Sequence, residues 1–174
     1  GLPDHVLVRS AVRRTHDRVR IPGSGDPDGT LPDREFFYDE RRSFLKSLDF
    51  LILCLPLTTH TEGIVGEDEL RALRPSAFVL NPARGPLIKE SALLAALREN
   101  WIAGAGIHTH YQFPLPPEHP LWSFENVILT PHISGSSAST HFRARLAALL
   151  VQNIDRFLSG HPLLNELTPK ELDS

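Results

Sequence analysis

At 174 residues, 41% of them hydrophobic, the chain is long enough to bury a core of its own and has no composition that would keep it disordered. A net charge of −3, with lysine confined to positions 46, 89 and 170, leaves no dense basic run for a phosphate backbone and argues against nucleic acid as a partner. The single cysteine, Cys54, cannot close an internal disulfide, and its apolar run FLILCLPL is too short to span a bilayer, so the reading is a cytoplasmic chain with no membrane partner.

Residues 6–16, VLVRSAVRRTH, place apolar side chains at 6, 8, 11 and 12 between arginines, which predicts a short amphipathic helix; RVRI after it predicts a brief strand. PGSGDPDGTLPD, residues 22–33, is turn chemistry throughout and reads as a loop. A helix is predicted near 40–47. DFLILCLPL is an unbroken apolar run closed by Pro56, the pattern of a strand buried on both faces. GEDELRAL predicts a short helix with acids in its first turn, AFVLN an apolar strand, KESALLAALREN a stronger helix, and IAGAGIH another strand. Beyond a proline-rich loop, NVILTP predicts one more strand, and a long helix runs over about 137–159 until Gly160 and Pro162 stop it. Helices alternating with apolar strands predict a doubly wound α/β domain, a parallel sheet covered on both faces.

Four of these segments carry a further pattern: LCLPLTTHTEGIVGEDEL, LNPARGPLIKESALLAAL, AGAGIH with PLPPEHPLW after it, and NVILTPHISGSS. In this order and spacing they resemble the nucleotide-binding domain of the D-isomer-specific 2-hydroxyacid dehydrogenases, the family of glyoxylate/hydroxypyruvate reductases and phosphoglycerate dehydrogenases. The likeness is closest from Leu48 to Ser137. It implies a Rossmann-like NAD(P)-binding domain over residues 1–159, a return segment over 160–174, NAD or NADP as cofactor, a small 2-keto or 2-hydroxy acid as substrate, and a homodimer. With no methionine in the chain and the family's first strand and substrate domain missing, the sequence is expected to be a fragment of a longer protein.

The family's reaction needs a group that holds the substrate carboxylate and polarises its carbonyl, and another that delivers a proton to the forming alkoxide. The resemblance assigns the first to Arg84 of NPARG, whose planar fork offers a carboxylate two parallel donors that lysine would not reproduce. It assigns the second to His132 of TPHISGSS, since imidazole donates and accepts near neutrality. Taken singly, an arginine at a strand end is more often paired with a surface acid, and a histidine there is more often structural. The cofactor surface implied by the family consists of Leu55 and Pro56 after one strand, Pro82, Ala83 and Arg84 after the next, and His108 after the third. His132, Ser134 and Gly135 follow the fourth, and Gly1 belongs to a glycine-rich turn.

The chain departs from the family where acid–base chemistry is set. The usual pattern, approximately A-G-A-x-L-D-V-F-x-x-E-P-L-P, has an Asp beside the nicotinamide and a Glu bonded to the histidine. Laid against AGAGIHTHYQFPLP, these positions hold His108 and Phe113, so both carboxylates are gone. In the turn expected at GLPDHV, Pro3 and Val6 stand at glycine positions with Asp4 beside them, removing a donor, adding bulk and repelling phosphate. An acid for the ribose hydroxyls is not evident near RIPGSG.

Two alternatives follow from the residues themselves. One is a non-catalytic relative, a nucleotide-fold interaction or dimerisation module of the kind used by corepressors, which the lost carboxylates and glycines favour. The other is a zinc site from His108, His110, His119 and His132; two rings spaced His-x-His on a strand share a face, but no cysteine is near and the other two arrive from separate loops. The reading taken is no metal, with His110, Tyr111 and His119 at the rim of a loop.

Overall fold

The computed structural model describes residues 3–8, 26, 28–134 and 139–166. The chain divides into two compact units, Phe36–Ile133 and a second made of Gly1–Glu35 with Ser134–Ser174.

The first unit is built on four parallel strands in the order β3-β4-β5-β6, with β3 at Phe50–Ile52, β4 at Phe78–Asn81, β5 at Gly104–Ile107 and β6 at Val127–Leu129. Helices α1 (Arg41–Lys46), α2 (Glu67–Ala72) and α3 (Glu90–Arg98) connect or precede them. The register places Leu51, Val79, Ala105 and Val127 in one row across the sheet, and the first three are buried together with Leu53 and Ile107. Leu70 of α2, Leu93, Ala96 and Leu97 of α3, and Phe44 and Leu45 of α1 complete this core. Helices of six residues such as α1 and α2 are too short to persist alone, so their order comes from this packing.

The opposite row reads Ile52, Leu80, Gly106 and Ile128, with Phe50, Phe78 and Gly104 beside it. Strand β3 was expected to be buried on both faces; instead Leu51 is buried while Phe50 and Ile52 are 46% and 56% exposed. The physical reason is that α1, α2 and α3 all contribute to the core on the Leu51 face. Phe50 and Phe78 stack at 5.9 Å; a side chain added at Gly104 would meet the Asn126 carbonyl oxygen first and then Phe78, and one at Gly106 would meet Leu80. The glycines of AGAG therefore make room for two large neighbours on β4.

In the second unit the expected helix over 6–16 is replaced at its start by a strand, β1 at His5–Val8, which pairs with β2 at Arg34–Phe37. The consecutive apolar residues of HVLV, two of them β-branched, suit an extended chain as well as a helix, and pairing decides for the strand. The rest of that helix, the strand expected at RVRI, and Gly1 and Gly135 lie outside the described residues. Helix α4 (Thr140–Leu158) starts on Ser139, whose hydroxyl accepts from the Phe142 amide. It ends at Gly160, with φ of 69°, and the His161 amide donates to Arg156 O at 2.8 Å. The segment beyond turns back on the helix: Asn153 bonds both main-chain groups of Leu164, and Arg156 Nε donates to Pro162 O at 2.6 Å. Among the described residues no helix is long and apolar enough to cross a membrane.

Candidate active site

Four loops leave the carboxyl edge of the parallel sheet, the edge at which α/β sheets bind their ligands. They carry Leu55 and Pro56 after β3, Pro82 to Arg84 after β4, His108 to Phe113 after β5, and Thr130 to His132 after β6. Residues 53–61, 82–88, 108–116 and 130–134 contain no Asp or Glu, yet contain Arg84, His60, His108, His110 and His132. Exposed Leu55, Leu57, Phe113 and Ile133 add apolar surface. Such a set of donors without carboxylates, next to apolar walls, fits a ligand with anionic groups and a flat apolar part.

The turn bearing Arg84 is held from below. Asn81, 1% exposed at the end of β4, donates through Nδ2 to Arg84 O at 2.8 Å and accepts from the Ala83 amide at 3.2 Å. Gly85 then passes so close to the next loop that a Cβ on it would lie 2.8 Å from the main-chain carbon and oxygen of His110. Arg84 itself is exposed, and its Nη1 donates to Ala83 O at 2.7 Å. Pro82 is exposed and Ala83 half-buried on the same turn. Neither Asn81 nor Gly85 was singled out from the sequence, although an Asn closing an apolar strand and a Gly after Arg in NPARG were the available signals.

His108 and Thr130 leave neighbouring strands side by side. The His108 amide donates to Asn81 O and the Thr130 amide to Ile107 O, each at 3.1 Å, and their side chains meet with His108 Nδ1 2.5 Å from Thr130 Oγ1. The His108 ring lies edge-on to His132, centroids 5.5 Å apart and planes at 81°, and Phe113 approaches His132 at 5.5 Å from another side. Phe113 thus occupies the neighbourhood of the imidazole where the family pattern has a carboxylate. Among the described residues His132 makes no hydrogen bond or ion pair. Its φ is 54°, a left-handed conformation that costs a non-glycine residue about 1–2 kcal/mol. Strain of this kind gathers at functional sites.

Arg84 and His132 do not follow adjacent strands: they come after β4 and β6, whose carboxyl ends stand about two strand spacings, roughly 10 Å, apart with β5 between them. The gap between them is bordered by His108. Ser134 is exposed at the start of the second unit.

The remaining histidines are engaged elsewhere. His110 Nε2 donates to Thr130 O at 3.1 Å, while its Nδ1 and the neighbouring Thr109 Oγ1 are buried without partners among the described residues. Burial lowers the pKa of His110, the bond to Thr130 O opposes this, and the nearby histidines lower it further. His119 accepts the Leu121 amide on Nδ1, so Nε2 carries the proton and donates to Glu90 at 2.6 Å. Tyr111 was expected on the rim but is largely buried: its hydroxyl donates to Ile88 O, and burial followed by the Glu90 charge pushes its pKa up. Likewise His110 is buried rather than at the rim. The described residues hold no group of three or more His, Cys, Asp or Glu side chains placed for a metal ion.

A parallel sheet joined by helices, with a crown of Arg and His at its carboxyl edge, defines a nucleotide-fold α/β domain. The model of the D-isomer specific 2-hydroxyacid dehydrogenase NAD binding domain matches residues 24–134, and the chain belongs to that family. It is 39% identical over 135 residues to a glyoxylate reductase of Thermofilum pendens, which covers 78% of this chain and 39% of the relative. A glyoxylate/hydroxypyruvate reductase B of Yersinia enterocolitica is 36% identical over 130 residues, 75% of this chain and 39% of its own. The NADPH-dependent glyoxylate/hydroxypyruvate reductase of Sinorhizobium meliloti, solved with NADP and sulfate, superposes with a TM-score of 0.74 at 26% identity over 98% of this chain and 49% of that one. A D-isomer specific 2-hydroxyacid dehydrogenase of Xanthobacter autotrophicus, solved with NADPH and MES, gives 0.70 at 36% identity over 78% and 43%. The chain therefore spans about two-fifths of the length of these curated relatives and less than half of these solved chains. GLPDHV lies outside the matched residues, and its last two residues belong to strand β1 rather than to a turn entering a helix.

Proposed function

We propose that the chain is the nucleotide-binding part of an NAD(P)-dependent oxidoreductase that reduces small 2-keto acids, of the glyoxylate and hydroxypyruvate class, to D-2-hydroxy acids. The observation that carries this reading is the placement of Arg84, His108 and His132 at one edge of a parallel sheet, with no Asp or Glu among residues 82–88, 108–116 and 130–134. The relatives' names supply the substrate class, and neighbours solved with NADP or NADPH support the cofactor.

Leu55, Pro56, Pro82, Ala83 and His108 would border the cofactor. When bound, a reduced nicotinamide supplies the hydride for the carbonyl carbon. Arg84 unfolds from Ala83 O to hold the substrate carboxylate with two donors and to polarise the carbonyl, and His132 gives its proton to the carbonyl oxygen as it becomes a hydroxyl. A general acid of this kind contributes on the order of 10²–10⁴-fold. The reading includes a homodimer working in the cytoplasm, with residues 160–174 as a return segment.

The test is consumption of NADPH or NADH by the purified chain with glyoxylate or hydroxypyruvate, together with calorimetric titration of each nucleotide. Turnover that vanishes in Arg84→Ala supports the reading, and an absence of nucleotide binding overturns it. One observation favours the second reading, a non-catalytic interaction module: Phe113 against His132 gives the imidazole an apolar neighbour and no acceptor. Nucleotide binding without turnover on either keto acid would select it.

A further inference from the structure

His132 has to present its proton in one direction, and the group that orients it in this chain is not a carboxylate. We propose that His108 is the positioning residue for His132, held in place by the Thr130 hydroxyl; this rests on the reading of His132 as the proton donor. Both members of the holding pair are fixed by main-chain bonds before their side chains meet. Ile107 and Leu129 are register partners on β5 and β6, so the next residues, His108 and Thr130, emerge side by side. The amide of each donates back into the sheet, to Asn81 O and Ile107 O. The 2.5 Å contact between Nδ1 and Oγ1 then stops rotation of the His108 ring.

A ring locked in this way presents a constant surface to His132. The 81° angle and 5.5 Å separation are the edge-to-face arrangement that aromatic rings prefer, and Phe113 limits movement from another direction at 42° and 5.5 Å. With no hydrogen bond to His132 among the described residues, these two rings decide where its nitrogens point. The arrangement also differs from a carboxylate in charge. An imidazole carries no negative charge in either protonation state, so it orients its neighbour without repelling a keto acid that is itself an anion.

The hydroxyl is the part that can be changed with least disturbance. Thr130→Val removes it at constant shape, Thr130→Ser keeps it, and His108→Ala removes the ring. Two readouts are taken on the 174-residue chain: the nuclear Overhauser contact between the His108 and His132 ring protons with the His132 ring shifts, and kcat and KM for keto-acid reduction. The contact is expected in the wild type and Thr130→Ser and absent in Thr130→Val, with His132 shifts displaced in both Thr130→Val and His108→Ala. A misaimed donor is expected to lower kcat about tenfold or more, because catalysis is sensitive to misplacements of about 1 Å, with KM within about twofold and Thr130→Ser restored. His132 shifts that stay unchanged in both Thr130→Val and His108→Ala overturn the proposal, as does full turnover in Thr130→Val. If the wild type shows no turnover, the oxidoreductase reading falls, while the ring spectra still decide whether His108 orients His132.

Discussion

Arg84 is the residue whose type matters most to the proposed chemistry, because only a guanidinium offers two parallel donors to a carboxylate. Its present bond to Ala83 O is a single contact from an exposed side chain, a weak tether that a carboxylate would outcompete. Arg84→Lys keeps the charge and loses the fork, so kcat/KM for glyoxylate is expected to fall by roughly tenfold to a hundredfold, the loss of one charge-assisted bond of about 1.5–3 kcal/mol, in steady-state assays. His110 makes a different prediction, about pH. Burial holds its folded pKa below the ordinary value of about 6.5, so between the two values the unfolded chain binds a proton that the folded one refuses. Stability therefore rises with pH through that window, is fully present above about 6.5, and is lost as the pH falls. Urea melts between pH 5 and 7.5 should show this slope, and His110→Gln, which has a donor for Thr130 O and no ionisation, should flatten it. At this scale Arg84, His108 and His132 were singled out because a motif named them. Asn81, Thr130 and Gly85 were not: their parts come from contacts across neighbouring strands, which spacing along one sequence does not reveal.

The elements around the site are short, and turns rather than helices set its geometry. The turn after β4 and the loop after β5 touch through Gly85, where a methyl group would press on the main chain of His110 at 2.8 Å and on Thr109 O at 3.1 Å. Main chain cannot yield as the far end of a flexible side chain would. Gly85→Ala is thus expected to lower stability by about 1–3 kcal/mol, the usual cost of overpacking, read from the urea midpoint. It should also displace Arg84, so activity falls more than stability alone would require. The glycines at 104 and 106 record the same logic within the sheet, small residues lying under Phe78 and Leu80. Periodicity found β3 to β6, α2 and α3, whose apolar patterns their neighbours complete, and it found α4 too, although none of that helix's residues is buried. It misread residues 6–8, where three consecutive apolar residues serve either a helix or a strand and the pairing with Arg34–Phe37 decides. It also overestimated the burial of β3, because an apolar run shows that both faces are hydrophobic without showing that both are covered.

For the molecule as a whole, the order of strands and the place of the crown follow from one another. Parallel strands put all four loops on one edge, and residues 29 or more positions apart in the chain, such as Leu55, Arg84 and His132, come to that same edge without any local signal in between. This is why the class of fold was legible from alternating elements while the geometry of the site needed coordinates. The same arrangement makes ligand binding a test of the whole unit Phe36–Ile133, since a nucleotide touching the loops after β3, β4, β5 and β6 would bridge every strand of its sheet. A ligand bound only to the folded state stabilises it by RT ln(1 + [L]/Kd), about 2.7 kcal/mol at a hundred times Kd. For a chain of this size each kcal/mol moves the melting temperature by roughly 2–4 °C, so saturating NADPH or NADH should raise it by roughly 5–10 °C. Hydrogen exchange then locates the effect: slowed amides at 54–58, 83–85, 108–112 and 130–134, in the presence of the preferred nucleotide, place it on the crown. A rise in melting temperature with protection confined to α4 would put the nucleotide elsewhere and remove the support for Arg84 and His132 as the residues that face it.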